Sequence, residues 1–136
     1  MAKWATASVR VWTESHSAAE LTALLGREPT KSFERGSLMS PRNPKSAERE
    51  VSLWVLESEL SRDERVERHL EWALDVVETL REPLASLPSG SADIFVGWEP
   101  PHGQASLELD HAFLQRLGAL PVDLIFDLYS LEGEAE

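Results

Sequence analysis

Residues 4–12 alternate, with Ala5, Ala7, Val9 and Val11 on one side and Thr6, Ser8 and Arg10 on the other, the period of a half-buried strand. The pattern then turns helical. Ser17-Ala-Ala-Glu20 is spaced as a capping box, Leu21, Leu24 and Leu25 form an apolar stripe, and Gly26 followed by Pro29 marks the stop. Residues 27–49 hold three prolines and no sustained period, which predicts a long loop with a short extended piece near Phe33. Loops of that length are uncommon in compact domains unless they are functional or mobile.

Residues 50–57 read as a second strand, with Val51, Leu53 and Val55 on one face and Ser52, Trp54 and Leu56 on the other. Apolar groups on both faces predict a central position. Ser61-Arg-Asp-Glu64 is spaced as another capping box, opening the longest helix, with Val66, Leu70, Ala73, Leu74, Val77 and Leu80 at helical spacing and Pro83 ending or kinking it. Residues 93–98 are expected to form a strand and 104–109 its hairpin partner. Asp110 caps a further helix bearing Phe113, Leu114 and Leu117. Residues 122–129 are expected to form the last strand, with Val122, Leu124, Phe126 and Leu128 inward and Asp123, Ile125, Asp127 and Tyr129 outward.

The first and last helices echo one another, each following its cap with leucines at matching offsets and each lying between two strands. The expected fold is therefore α+β: a mixed, mostly antiparallel five-stranded sheet with helices on one face, in a split β-α-β, ferredoxin-like arrangement joined by the long central helix. The opposite sheet face is expected to be open. One domain over residues 1–130 and a frayed acidic tail at 131–136 complete the organisation.

Charge changes the picture more than composition does. The net charge is −11, which disfavours nucleic acid and anionic membranes over most of the surface. Yet residues 27–49 carry six basic residues, Lys31 and Arg35 among them, against three acidic ones. No cysteine is present, so disulfides, cysteine zinc sites and thiol nucleophiles are excluded. With neither a signal pattern at the N-terminus nor a long apolar run, the expectation is a cytoplasmic protein that does not enter a membrane.

Familiar chemistry is scarce. Gly26-Arg-Glu-Pro-Thr-Lys-Ser32 resembles a phosphate loop only superficially: Thr30 stands where the second glycine belongs, the spacing is one residue short, and the segment follows a helix C-terminus. His16, His69, His102 and His111 lack metal-ligand spacing, with His69 read as a boundary residue, and no cofactor is expected. Asp127 with Glu108 could do acid–base work if one pocket held both, although carboxylates on an open face are ordinarily solvated. Trp12, Trp54, Trp98 and Tyr129 lie on or at the ends of strands, and Trp12 and Trp54 are assigned to faces opposite the main apolar stripe. Such aromatics anchor interfaces or fill a second small core.

Leu24-Leu-Gly-Arg-Glu-Pro-Thr30 with Gly36, then Trp54-Val-Leu-Glu-Ser58, then Phe113-Leu-Gln-Arg-Leu117 and Asp123-Leu-Ile-Phe-Asp-Leu-Tyr129, resemble the small bacterial proteins of domain-of-unknown-function family 4279 over nearly the whole chain. The resemblance implies a single compact α+β domain and brings no reaction, cofactor or catalytic residue with it.

The functional expectation is a non-enzymatic binding module, of the immunity type, that masks a basic protein partner. The alternative is a small-ligand module recognising an anionic compound through the basic 27–49 loop. The expected contact residues are Lys31, Arg35, Trp12, Trp54, Trp98, Asp127 and Tyr129, and the open sheet face is a candidate for pairing with a second copy.

Overall fold

The alternating run at the start of the chain forms β1 (Trp4–Thr13) in a computed structural model that describes residues 3–129. The tail expected at 131–136 lies outside the described residues. Ser17 caps α1 (Ala18–Leu25) through the full capping box, and Gly26 closes that helix at φ 69°. An L-residue in this left-handed conformation is disfavoured by roughly 1–2 kcal/mol, so glycine suits the stop. A contact that the local pattern does not announce adds to the helix start: both carboxylate oxygens of Glu34 accept from the Ala18 backbone N–H, at 2.8 and 3.0 Å.

The remaining elements are β2 (Lys31–Phe33), β3 (Ser52–Glu57), α2 (Val66–Thr79), α3 (Arg81–Ala85), β4 (Ala92–Glu99), α4 (His111–Gly118) and β5 (Asp123–Leu128). One five-stranded sheet runs in the order β2-β3-β1-β4-β5, parallel only between β4 and β5. It is the expected mixed, mostly antiparallel α+β sheet. Following the ladders, β1 and β2 run parallel with β3 between them, and β3 and β4 run parallel with β1 between them. The chain makes the first crossing through α1 and the second through α2 and α3, while α4 adds β5 directly beside β4. The long helix therefore belongs inside the second crossing and does not join two equivalent halves.

Leu21 of α1, Leu70, Leu74 and Val77 of α2, Leu84 of α3 and Phe113 of α4 share one core with Ala7, Val9, Val11, Trp54, Ile94 and Val96. All four helices thus contribute to the core on one face of the sheet. Pro83 acts as expected, since α2 stops at Thr79 and α3 restarts around the ring.

Four local expectations are corrected. Trp54 is fully buried on the helix-facing side, because β3 turns Ser52, Trp54 and Leu56 toward the helices; its indole N–H is satisfied by Arg27 O at 3.1 Å. Residues 104–109 are not a strand: β1 and β5 already occupy both edges of β4, and Leu107 and Leu109 pack against the core from irregular backbone. The fifth strand is β2, three residues long, on the outer edge of β3. The Ser61–Glu64 box does not form, for α2 begins at Val66 with Arg65 at its cap position, and the Ser61 carbonyl accepts instead from His69 Nε2 at 3.0 Å. His69 itself is fully buried, with Ser58 Oγ at 3.1 Å from Nδ1. A carbonyl can only accept, so Nε2 carries the proton and Nδ1 accepts from the serine. Burial holds its pKa below the ordinary 6.5.

The 27–49 segment is more regular than an unpatterned loop. Beyond β2 it doubles back through a Leu38–Glu48 bridge, with Gly36 N–H donating to Arg49 O at 2.8 Å and Met39 N–H to Ala47 O at 2.9 Å.

Candidate functional site

The sheet face turned away from the helices carries a groove of about 620 Å³. The alternation that buries Val9 and Val11 forces Thr6, Ser8 and Arg10 onto this side, and the cross-strand register adds Val55 and Glu57 from β3 and Phe95 from β4. Lys31 and Phe33 of β2 line one side, and Leu60 and Arg62 approach from the connection to α2. The floor is apolar at Leu53 and Val55, and the groove-lining charges are Arg10, Lys31 and Arg62 against Glu57. A predominantly cationic groove contrasts with a chain of net charge −11, and a cleft lined mainly by one sign of charge focuses the local field.

Each cation is held differently. Arg10 donates from Nε and Nη2 to the two oxygens of Asp93 at 2.8 and 2.7 Å, and its Cζ lies 4.2 Å from the centre of the Phe95 ring. The Asp93 side chain is 2% exposed and that of Arg10 30%, so a buried carboxylate orients a guanidinium that still reaches solvent. This bond raises the Arg10 pKa above its ordinary value, and Nη1 is not used in it. Lys31 pairs with Glu57 at 3.2 Å, both side chains about half exposed. Exposed pairs contribute about 0–1 kcal/mol, so Lys31 can turn to another anion at little cost. Arg62 rests on Trp4, its Cζ 4.5 Å from the ring centre. Arg49, which does not line the groove, has its Cζ 4.0 Å from the centre of the Phe33 ring.

The sequence-predicted contact residues do not assemble into one site. Lys31 lines the groove, but Arg35 lies beyond the other end of β2, where Nη1 donates to the Glu14 carbonyl. Trp12 is half-buried on the open face opposite Leu53 and does not line the groove. Trp54 belongs to the core, as described above. Trp98 packs from the helix side against the core and lines a separate pocket at the end of the sheet. Tyr129 donates to Asp127 Oδ2 at 2.8 Å and packs on Trp4 with ring centres 4.9 Å apart. That bond to the carboxylate raises the tyrosine pKa.

Glu108 lies among α2 and α4 residues, in a cavity with Arg65, Glu71 and Asp110, and Asp127 is absent from that lining. The acid–base pair is therefore not assembled. Among the described residues no group of three or more His, Asp or Glu side chains could hold a metal ion, and no helix is long and apolar enough to cross a membrane.

Arg10, Asp93, Phe95 and Arg62 are the residues that sequence reasoning missed. The outward position of Arg10 was legible in the alternation, but its partner depends on the β1–β4 register, which places Arg10 directly opposite Asp93.

No curated protein and no solved structure matches the chain. One family model does, described as domain of unknown function (DUF4279), and it spans residues 3–131. The match covers nearly the whole chain, the groove-lining residues of all five contributing segments included. The chain therefore belongs to the DUF4279 family of domains.

Proposed function

We propose that this chain is a non-enzymatic binding module whose open-face groove takes a small organic anion, a phosphate or carboxylate carried on an apolar body. One observation carries the reading: Arg10, Lys31 and Arg62 converge on an apolar floor of Leu53 and Val55 although the chain as a whole is strongly acidic. The apolar part would cover Leu53, Val55 and Phe95, while the anion would take Arg10 Nη1 and draw Lys31 from Glu57. Charge-assisted bonds of this kind contribute about 1.5–3 kcal/mol each. The strand order supports reading the fold as a ferredoxin-like split β-α-β arrangement with β5 added beside β4, and the cysteine-free composition is compatible with a bacterial cytoplasm.

Thermal shift and calorimetry with phenyl phosphate and octanoate test the proposal, with phenol and octanol as uncharged controls. The anions are expected to raise the melting temperature through linkage, with affinity falling in Lys31→Ala and as salt rises. Equal binding of the uncharged controls, or an unchanged shift in Lys31→Ala combined with Arg62→Ala, would refute it.

A second reading is a module that masks a basic protein partner. It is favoured by the net charge of −11 and by the exposed side chains of Ile125, Leu128 and Tyr129 along the β5 edge. Co-purification of a defined basic protein that Leu128→Asp releases would support it, and a tagged chain that repeatedly captures none would count against it.

A further inference from the structure

At the other end of the sheet, Glu99 closes β4 directly opposite Trp4 of β1. The residue is only 4% exposed, and its Oε1 is buried without a hydrogen-bond partner. Buried carboxylate oxygens are nearly always bonded, because removing an ionised group from water without compensation is costly. Glu99 lines a cavity of about 440 Å³ together with Trp4, Trp98, Pro101 and Ala105. Around it Lys3, Arg62 and Arg65 face Asp63, Glu64 and Glu67. Those six charges cancel, so the enclosed carboxylate sets the sign.

We propose that this cavity is a second binding site, separate from the groove, and that it takes an organic ammonium group on an aliphatic stem. The ammonium pairs with the Glu99 carboxylate, whose Oε1 has no hydrogen-bond partner, and the stem lies along Trp98, Pro101 and Ala105. Aromatic walls suit such an occupant because a ring face attracts a cation electrostatically, and Trp4 already holds one in the guanidinium of Arg62 at 4.5 Å. A metal ion fits less well: hard cations need several oxygen ligands, and among the described residues no group of three or more acidic or histidine side chains is placed to hold one. A guanidinium pairs best with both carboxylate oxygens in a fork, whereas a compact ammonium suits a single acceptor.

The chemistry is common to free alkylamines and to the side chain of a lysine, and the test separates them. Full-length protein labelled with ¹⁵N is titrated with pentylammonium, with 1-pentanol, and with a blocked Gly-Lys-Gly peptide, following the indole N–H signals of Trp4 and Trp98. Saturable shifts are expected with pentylammonium or the peptide and none with pentanol. Tighter binding of the peptide assigns the site to a protein lysine, and tighter binding of the free amine to a small molecule.

Glu99→Gln keeps the shape and removes the charge, and should weaken the cation by about tenfold or more. Ala105→Trp narrows the cavity from an exposed position and should weaken it without touching Glu99, so a folding defect in one variant leaves the other informative. Equal binding of pentanol, affinity within about twofold of wild type in both variants, or no saturable shift with either amine would overturn the proposal. The groove reading stands or falls on anions and Lys31, so the two failures are distinguishable.

Discussion

Replacing Arg10 with Met should destabilise the fold more than replacing Asp93 with Asn, although each removes one half of the same pair. The asymmetry follows from access to water. Arg10 Nε and Nη2 donate to Asp93 at 2.8 and 2.7 Å, and the carboxylate is 2% exposed against 30% for the guanidinium. In Arg10→Met the apolar stem still covers Phe95, but the carboxylate is left buried without its cation. Removing one partner of a buried pair costs about 3–5 kcal/mol, and because half of this pair reaches solvent, about 3 kcal/mol is expected. In Asp93→Asn the guanidinium can turn toward water, and the loss of its charge-assisted bonds is worth about 1.5 kcal/mol. With an unfolding entropy of about 2.1 cal/mol/K per residue, a chain of 136 residues loses about 3.5 °C per kcal/mol. Calorimetric or circular-dichroism melting should therefore fall by roughly 10 °C in the first variant and roughly 5 °C in the second. The double variant should be less damaged than Arg10→Met alone, since no buried charge remains. An Asp93→Asn loss equal to or larger than that of Arg10→Met would refute the reasoning.

Three further outcomes are expected. Burial holds the His69 pKa below 6.5; the unfolded chain therefore takes up that proton first, so stability is full above the unfolded pKa and declines as pH falls below it. Melting temperatures measured from about pH 7.5 down to about pH 5 should fall more steeply in wild type than in His69→Gln, and equal slopes would remove His69 from the account. A Cβ at Gly97 would sit 3.0 Å from Thr6 Oγ1 and 3.1 Å from the Trp4 ring, so Gly97→Ala should cost about 1–3 kcal/mol and change tryptophan fluorescence as Trp4 moves; an unchanged spectrum and melting point would show that the ring yields freely. Arg62 lines both cavities, so Arg62→Ala should weaken phenyl phosphate in the groove while leaving pentylammonium at Glu99 as tight or tighter, and calorimetry showing both weakened would sink the opposite electrostatics assigned to the two sites.

What the sequence disclosed was set by short-range physics. The capping box at Ser17, the glycine stop at position 26 and the alternation of β1 each depend on residues within one or two turns, and each appears where the pattern placed it. The same pattern was ambiguous in β3, where Val51, Leu53 and Val55 compete with Trp54 and Leu56 for the core. Only the packing of α1 and α2, with Arg27 O available to the indole N–H, decides that Trp54 goes inside. Residues 104–109 alternate as a strand would, yet a ladder needs a free neighbour, and β4 has none. The groove was legible only as its separate parts: Lys31 stood out in a basic segment and Arg10 at an outward position, but the register that brings them to one face is a long-range property.

Arg62 separates two surfaces of opposite character. Its guanidinium covers Trp4, and Trp4 is held by Tyr129 and by the absence of a side chain at Gly97. An anion in the groove that attracts Arg62 would draw positive charge away from the Trp4 face, and that face borders the cavity of Glu99. An ammonium there would in turn repel Arg62 toward the groove. Occupancy of either site should therefore favour the other, and linkage requires the factor to be the same in both directions. The proposed opposite preferences of the two sites rest on the sheet, which keeps the buried carboxylates of Asp93 and Glu99 at separate positions along β4 and pairs the first of them with Arg10 while Oε1 of the second has no partner.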